Sequence, residues 1–360
     1  MMRRRRAWVQ LKNTNLPPHF SFVTTVSVII PVRNESLNIL NLLQNLATQS
    51  YPQNLLEVLI VDDYSEDNTA ALVKNFANKA AFSLRYISLA EAGGNGKKAA
   101  VAAGVKAATG ELLVFTDGDC RVLPHWLRYL VFAYTSQQAR FISGPVCFEA
   151  PQTLFQKMQL VEFASLIGAG GSSIALGKPN MCNGANLAYP KSVFAAVKGF
   201  SGNEHIPSGD DEFLMHKVQA LYPGRVFFLK AAEATVFTSA KSNTKDFFQQ
   251  RVRWASKWPA YQSWEIKLLA ILVFGLNLLL LLGAGLAVFN LISLPSILLA
   301  ISIKIIVDLL FMSPVLHFFQ NSKYLGLMIP LQFIYIPYVV ITALMGLRSS
   351  YQWKGRVIKK

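Results

Sequence analysis

The sequence predicts an α/β domain, built on a parallel sheet with crossover helices, followed by α-helical transmembrane segments. Three observations carry this prediction. Through the first 120 residues, short apolar runs alternate with helical patterns in a strand, helix, strand, helix rhythm, the mark of βαβ units. Some of those runs end in carboxylates, above all residues 112–116, which lead straight into Asp117-Gly118-Asp119. Residues 268–303 carry no charged side chain, and a bilayer core needs only about 20 helical residues.

In order, residues 26–32 read as a buried strand, and Arg33-Asn34-Glu35-Ser36 starts a helix to about Thr48 with leucines at helical spacing. A second strand, residues 56–61, ends in Asp62-Asp63. Ser65, Asp67, Asn68 and Thr69 supply the turn and cap of the next helix, since short polar side chains accept from its free amides. A short strand follows at 84–87. Gly93-Gly94-Asn95-Gly96-Lys97-Lys98 opens an alanine-rich helix to about Thr109, which Gly110 closes. Past Asp119 the pattern loosens into a helix from Pro124, a strand near 141–147, an amphipathic helix over 154–167 and a flexible stretch over 168–177. Gly209-Asp210-Asp211-Glu212 heads a helix to about Leu221, with strands at 226–229 and 234–237. Such irregularity suits a substrate-facing half.

Thr244 is expected to cap a helix carrying Phe247, Phe248, Gln250, Arg251, Arg253, Trp254, Trp258 and Trp264. Aromatics mixed with basic residues just ahead of an apolar tail describe an interfacial helix. The tail itself divides into hydrophobic segments at 266–289, 291–311 and 325–347. Lys304 and Asp308 lie four apart in the second, on one face and able to pair. Pro330 and Pro337 imply a kinked or partly re-entrant third. Three full crossings would place the basic tail 348–360 opposite the main domain, against the positive-inside rule, and a re-entrant first or third segment would remove the conflict. The expected organisation is therefore a basic arm at 1–25, a main α/β domain at 26–240, an interfacial helix at 241–264, a transmembrane region at 265–347 and the tail at 348–360.

A chain of 360 residues is long enough for two units, and its formal charge of +15 fits either nucleic acid or an anionic membrane surface. The lysines and arginines are scattered, no stacking platform accompanies them, and the mean hydropathy is +0.32, so membrane lipids are expected as partners and nucleic acid is not. Cys120, Cys147 and Cys182 lie far apart in no paired or zinc-like spacing and read as reduced, which places the main domain in the cytoplasm. Arg3 to Arg6 resemble the start of a secretory signal, but polar Lys12, Asn13 and Asn15 follow. The arm therefore reads as a membrane-surface tether.

Side chains two apart in an extended segment share a face, so Asp117 and Asp119 could hold a hard cation, Mg²⁺ or Mn²⁺, that carries a diphosphate. The same three residues also make an ordinary turn after a buried strand. Lys97 follows glycines at a helix start, where free amides favour anions; the plainer reading is a solvated lysine. Asp210 and Asp211 read either as helix-cap acids or as a general base. Gln250, Arg253 and Trp254 fall at i, i+3 and i+4, so one helical face offers an amide, a guanidinium and an indole.

Taken together, Pro31-x-Arg33-Asn34-Glu35, Asp62-Asp63, Lys97, Asp117-x-Asp119, Asp210-Asp211 and Gln250-x-x-Arg253-Trp254 resemble, in this order, the family 2 glycosyltransferases of GT-A fold, the group that includes cellulose, chitin and hyaluronan synthases and ceramide glucosyltransferases. The resemblance covers about residues 26–261. It implies a Rossmann-like nucleotide-binding sheet and an inverting, metal-dependent transfer of sugar from a nucleotide donor, UDP-sugar in first place, to a lipid or glycan acceptor. The enzyme would sit in the cell membrane as a multi-pass protein, with its catalytic domain in the cytoplasm. By the same resemblance Pro31, Arg33, Glu35 and Asp63 would lie at the base and ribose, and Asp117 at the ribose and metal-bound diphosphate. Asp119 would ligate the metal, Asp211 would be the general base, and Gln250, Arg253 and Trp254 would cover donor and acceptor. Family members usually have Glu-Asp where this chain has Asp210-Asp211. Cys182-Asn183-Gly184-Ala185-Asn186 also resembles a segment beside the acceptor. A processive polysaccharide synthase and a non-catalytic sugar-nucleotide sensor or scaffold are the alternatives.

Overall fold

The computed structural model describes residues 1–204, 206, 209–257, 260–261, 263–347, 350–353 and 356–359, with side chains through Leu347. In chain order its elements begin with α1 (Met2–Gln10), β1 (Val26–Val32), α2 (Ile39–Ala47), β2 (Leu56–Asp62), α3 (Thr69–Ala77), β3 (Ser83–Ser88), α4 (Leu89–Ala92), α5 (Gly96–Ala107) and β4 (Leu112–Phe115). They continue with α6 (Trp126–Gln137), β5 (Phe141–Ser143), β6 (Val146–Phe148), α7 (Leu154–Ala175), β7 (Leu187–Pro190), α8 (Lys191–Ala196), α9 (Asp210–Leu221), β8 (Val226–Phe228) and β9 (Val236–Thr238). Last come α10 (Thr244–Ala255), α11 (Trp264–Val288), α12 (Leu294–Phe318), α13 (Met328–Gly346), β10 (Ser350–Trp353) and β11 (Arg356–Lys359). These form two compact units: a sheet unit of residues 10–149 and 169–239, and a helical unit of residues 1–9, 150–168 and 240–360.

In the sheet unit seven strands run in the order β3-β2-β1-β4-β7-β5-β8. β3, β2, β1 and β4 are mutually parallel, as expected from the βαβ rhythm. Beyond β4 the sheet is mixed, because β7 runs antiparallel to both β4 and β5. Val28, Ile29, Ile30, Leu59 and Ile60 are fully buried, which is why β1 and β2 read as near-continuous apolar runs. Glu57 is buried among them and is satisfied by Ser27 Oγ at 2.5 Å and Thr109 N at 2.8 Å. Burial alone would raise its pKa, but these donors and Arg85 outweigh it and hold the carboxyl below its ordinary value.

Several sequence expectations change here. The strand expected at 141–147 is two strands in different sheets, β5 in the main sheet and β6 paired with β9. The helix expected from Arg33 begins only at Ile39, and Asn243 rather than Thr244 caps α10, accepting from Asp246 N at 2.9 Å. The stretch expected to be flexible over 168–177 is helical to Ala175, its glycines serving close packing: a Cβ on Gly168 would stand 2.7 Å from Val315 Cγ2. α10 ends at Ala255 and Trp264 opens α11, so the interfacial helix is shorter than expected; Trp258 lies outside the described residues.

In the helical unit, residues 264–288, 294–318 and 322–346 are long and apolar enough to cross a membrane, with mean hydropathies of 2.5, 2.2 and 1.9 over an 18-residue window of each. The second segment runs seven residues past its expected end at 311, with Pro314 inside it. Lys304 and Asp308 pair at 2.8 Å, and Gln332 of α13 joins both, donating to Asp308 at 2.9 Å and accepting from Lys304. The far end of α13 returns to α10: a Cβ on Gly346 would stand 3.0 Å from Ala255 Cβ. The tail beyond it carries a hairpin, β10 antiparallel to β11, while Arg348 lies outside the described residues.

Candidate active site

The sheet's topology brings the expected residues to one edge. β1 is the first of the parallel strands, flanked by β2 on one side and β4 on the other, so connections leave it in opposite directions and a crevice opens at the strands' carboxyl ends. The register aligns those ends: Pro31 faces Val61 and Val32 faces Asp62, while the β1–β4 pairing stops at Ile29 and Phe115, two residues short of Pro31. Pro31 has no N–H to offer a ladder. β1 and β4 therefore part where Asp117 follows.

Asp117 to Cys120 form a tight turn closed by Cys120 N donating to Asp117 O at 3.1 Å, so this stretch is not the extended segment expected. Asp117 is half-buried and Asp119 exposed. Lys97, at the start of α5, reaches across to Asp117 Oδ1 at 2.6 Å. Burial would disfavour its ammonium, yet Asp117, Asp210 and Asp211 outweigh that and push its pKa up, so the cation persists at any working pH. Asp210 and Asp211 occupy the first turn of α9, behind Gly209 in left-handed conformation. There the helix dipole favours carboxylates, and Asp211 Oδ1 accepts from Glu212 N at 2.8 Å.

Gly184 is where these groups meet. A Cβ at this position would stand 3.2 Å from Lys97 Nζ and 3.4 Å from Asp211 Oδ2, so both side chains lie close against this stretch of backbone. A cleft lined by Pro31, Lys97, Thr116, Gly184, Asp210 and Asp211 results, with apolar walls that include Tyr189, Phe200 and Leu214.

Asp63 Oδ1 accepts from Gly96 N at 2.9 Å, tying the end of β2 to the start of α5, which carries Lys97. Arg33 and Glu35 are buried. Arg33 Nη1 donates to the Asp63 and Tyr64 carbonyls at 2.7 and 2.6 Å, bracing the loop that carries Asp63. Glu35 accepts from Asn38 Nδ2 at 2.8 Å. Asn186, in the segment that resembles an acceptor site, takes Trp126 Nε1 and donates to two buried carbonyls, which is structural work. His205 lies outside the described residues. The three cysteines are free, and burial pushes the Cys120 and Cys147 thiols up, Cys147 to about 12, so neither is a ready nucleophile.

Gln250, Arg253 and Trp254 belong to α10 in the helical unit. The residue between them is the anchor that sequence reasoning missed. Arg251 is buried, forks onto Glu162 of α7 at 2.5 and 3.1 Å, donates to Gln250 Oε1, and lies 4.3 and 4.6 Å from the ring centres of Trp254 and Phe247. The available signal was Glu162, the sole acid in the apolar run of α7.

Among the described residues no group of three or more His, Cys, Asp or Glu could hold a metal by itself. Two hard carboxylates on one turn, one of them exposed, still fit Mg²⁺ or Mn²⁺, which commonly take one or two protein carboxylates and complete their shell with water and phosphate oxygens.

Residues 27–197 match the family model Glycosyl transferase family 2. The chain is 31% identical over 194 residues to Glycosyltransferase AglE of Haloferax volcanii, covering 52% of this chain and 58% of that protein. It is 26% identical over 233 residues to the Probable glycosyltransferase YdaM of Bacillus subtilis, covering 64% and 54%. It thus spans a little over half the length of these two relatives. Among solved structures, the mannosyltransferase PcManGT of Pyrobaculum calidifontis, determined with GDP-Man and Mn²⁺, superposes with a TM-score of 0.58 at 19% identity over 96% of this chain and 92% of its own. That likeness fixes the fold. Residues 27–197 therefore match the Glycosyl transferase family 2 model, within an α/β unit of GT-A fold.

Proposed function

We propose that the chain is a membrane-anchored, inverting, metal-dependent glycosyltransferase that moves a sugar from a nucleotide donor, a UDP-sugar in first place, to a lipid-linked acceptor at the cytoplasmic face. The observation that carries this is Lys97 at the carboxyl edge of the sheet, bonded to Asp117 and, together with Asp211, packed close to Gly184. The acceptor hydroxyl oxygen bonds to the anomeric carbon as the bond from that carbon to the diphosphate breaks. Asp211 takes the hydroxyl proton, and the nucleoside diphosphate leaves with the bonding electrons. Attack opposite the leaving group inverts the anomeric centre. Lys97, fixed as an ammonium, faces the charge that gathers on the diphosphate. Mg²⁺ or Mn²⁺, held by Asp117 and Asp119, would supply Lewis-acid stabilisation of the same leaving group. Asp63, with Pro31, Arg33 and Glu35 behind it, would receive the nucleoside. Gln250, Arg253 and Trp254 would close over donor and acceptor.

Three apolar helices favour a lipid-soluble acceptor over a polymer that needs its own channel. Gly346 packs against Ala255 at the end of α10, which supports a basic tail that lies on the side of α10, as the positive-inside rule would have it.

The test is release of nucleoside diphosphate by the purified chain, offered UDP- and GDP-sugars with Mn²⁺ or Mg²⁺ and host-membrane lipids. Release should require metal and lipid and fall by about 10²–10⁴ in Asp211→Asn. Full release from Asp211→Asn would overturn the base assignment, a product ladder would indicate a processive synthase, and metal-dependent nucleotide binding without turnover on any lipid or glycan primer would indicate a sensor.

A further inference from the structure

α12 contains a proline in its interior, and its consequence is visible. Pro314 has no N–H, so the carbonyl of Leu310, four residues earlier, loses its helical donor. Arg5 of α1 replaces it, donating Nε to Leu310 O at 3.0 Å. Trp8, fully buried, donates Nε1 to Pro314 O at 3.2 Å and sets its ring edge-on to Phe318 at 5.6 Å. The N-terminal arm is therefore a helix locked into the break in α12 rather than a loose tether.

The same place marks where the apolar exterior of α12 ends. Leu294, Leu298, Leu299, Ile303, Ile306 and Leu310 are each more than 40% exposed, whereas Phe311, Met312, Val315 and Leu316 are buried. From residue 294 to 310 the helix rises about 25 Å, close to the thickness of a hydrocarbon core. α1 docks at this boundary, the depth of lipid headgroups.

What α1 presents there is cationic and uncompensated. Arg3 and Arg6 are exposed, beside Met2 and Val9 on the same helical face, the mixture found on helices that lie at a bilayer surface. Arg4 is half-buried, and burial pulls its pKa down. Among the described residues none of the three has a carboxylate partner.

We propose that α1, held in the proline break of α12, is a binding surface for anionic phospholipids, with Arg3, Arg4 and Arg6 gripping the headgroup phosphodiester. Cationic side chains attract the headgroup phosphate, and a fixed helix presents them without the entropy cost of ordering a free arm. The proposal rests on the reading that α12 enters a bilayer but is independent of the transfer chemistry.

The test uses the full chain in uncharged detergent, titrated with phosphatidylglycerol or phosphatidylcholine, with bound lipid counted by native mass spectrometry. Phosphatidylglycerol should be retained selectively, and about a hundredfold more weakly in the Arg3→Gln, Arg4→Gln, Arg6→Gln triple variant, in which Arg5 and Trp8 keep α1 docked. The matching triple lysine variant keeps the charge and should retain most of the affinity. Equal retention of the two lipids, an unaffected glutamine variant, or equal loss in the lysine and glutamine variants would each overturn it. Failure of the wild type to co-sediment with membranes would refute the bilayer reading instead, whatever the transferase assay shows.

Discussion

Two ion pairs, one in each unit, show how differently this chain uses charge. Lys97–Asp117 in the sheet unit is short, at 2.6 Å, but its side chains keep 23% and 35% of their exposure, and Lys97 lines a cleft. Arg251–Glu162 in the helical unit is equally short, at 2.5 Å, and only 3% and 6% exposed, with the guanidinium between two rings. An open pair can exchange a partner for a ligand at little cost. A sealed pair cannot, because either charge left alone inside the protein keeps its full desolvation penalty. The first pair is open to a ligand and the second is sealed inside its unit.

The sharpest way to break this comparison is to remove one member of the sealed pair. Glu162→Ala should destabilise the protein by about 3–5 kcal/mol, seen as a large drop in thermal midpoint in detergent, since Arg251 would remain buried and uncompensated. Replacing both, as Glu162→Leu with Arg251→Met, should recover most of the loss. If the double variant is no more stable than the single, the pair's value is not the burial of an unmatched charge.

The open pair should respond in the opposite manner. Lys97→Met removes a half-buried but solvent-screened ion pair worth about 1 kcal/mol, so the thermal midpoint should move far less than in Glu162→Ala. By contrast kcat/KM for the donor should fall about tenfold to a hundredfold, the value of one hydrogen bond to a charged group. A midpoint loss as large as that of Glu162→Ala would erase the distinction between the pairs.

The open site was far more legible in the sequence than the sealed one, and the reason is physical. Asp63, Asp117 and Asp211 stand at the ends of strands or the start of a helix, where a change of periodicity marks a boundary and polar residues stand out against apolar runs. The parallel half of the sheet could be read in the same way. The antiparallel insertion of β7 could not, because residues 187–190 and 141–143 are too short to show a period and are defined only by partners distant in sequence. Gly184 was quoted only as part of a motif, since its work is to make room for Lys97 and Asp211, which lie remote in the chain. Arg251 was visible as a residue but not as an anchor, because its partner lies 89 positions away. The docking of α1 depended on a proline more than 300 residues later.

The smallest expected effect lies between these extremes, at Lys98. Its Nζ donates to Asn203 O at 2.5 Å and lies 5.8 and 5.7 Å from the ring centres of Phe200 and Phe213, tying α5 to the loop that leads into Asp210 and Asp211. Burial pulls its pKa from 10.5 down to about 8, against the opposing pull of Asp210 and Glu204. The folded chain therefore favours the neutral amine. Between pH 8 and 10.5 the unfolded chain still holds a proton that the folded chain has shed, so this group's contribution to stability rises with pH across that window and is level on either side. Lys98→Met removes the titration. The wild-type thermal midpoint, measured relative to the variant's, should climb by about 2–4 °C or less between those limits, because partial exposure screens the effect. A difference that stays flat, or falls, would show that Lys98 keeps its proton and that its bond to Asn203 is a third fixed ion contact rather than a half-open one.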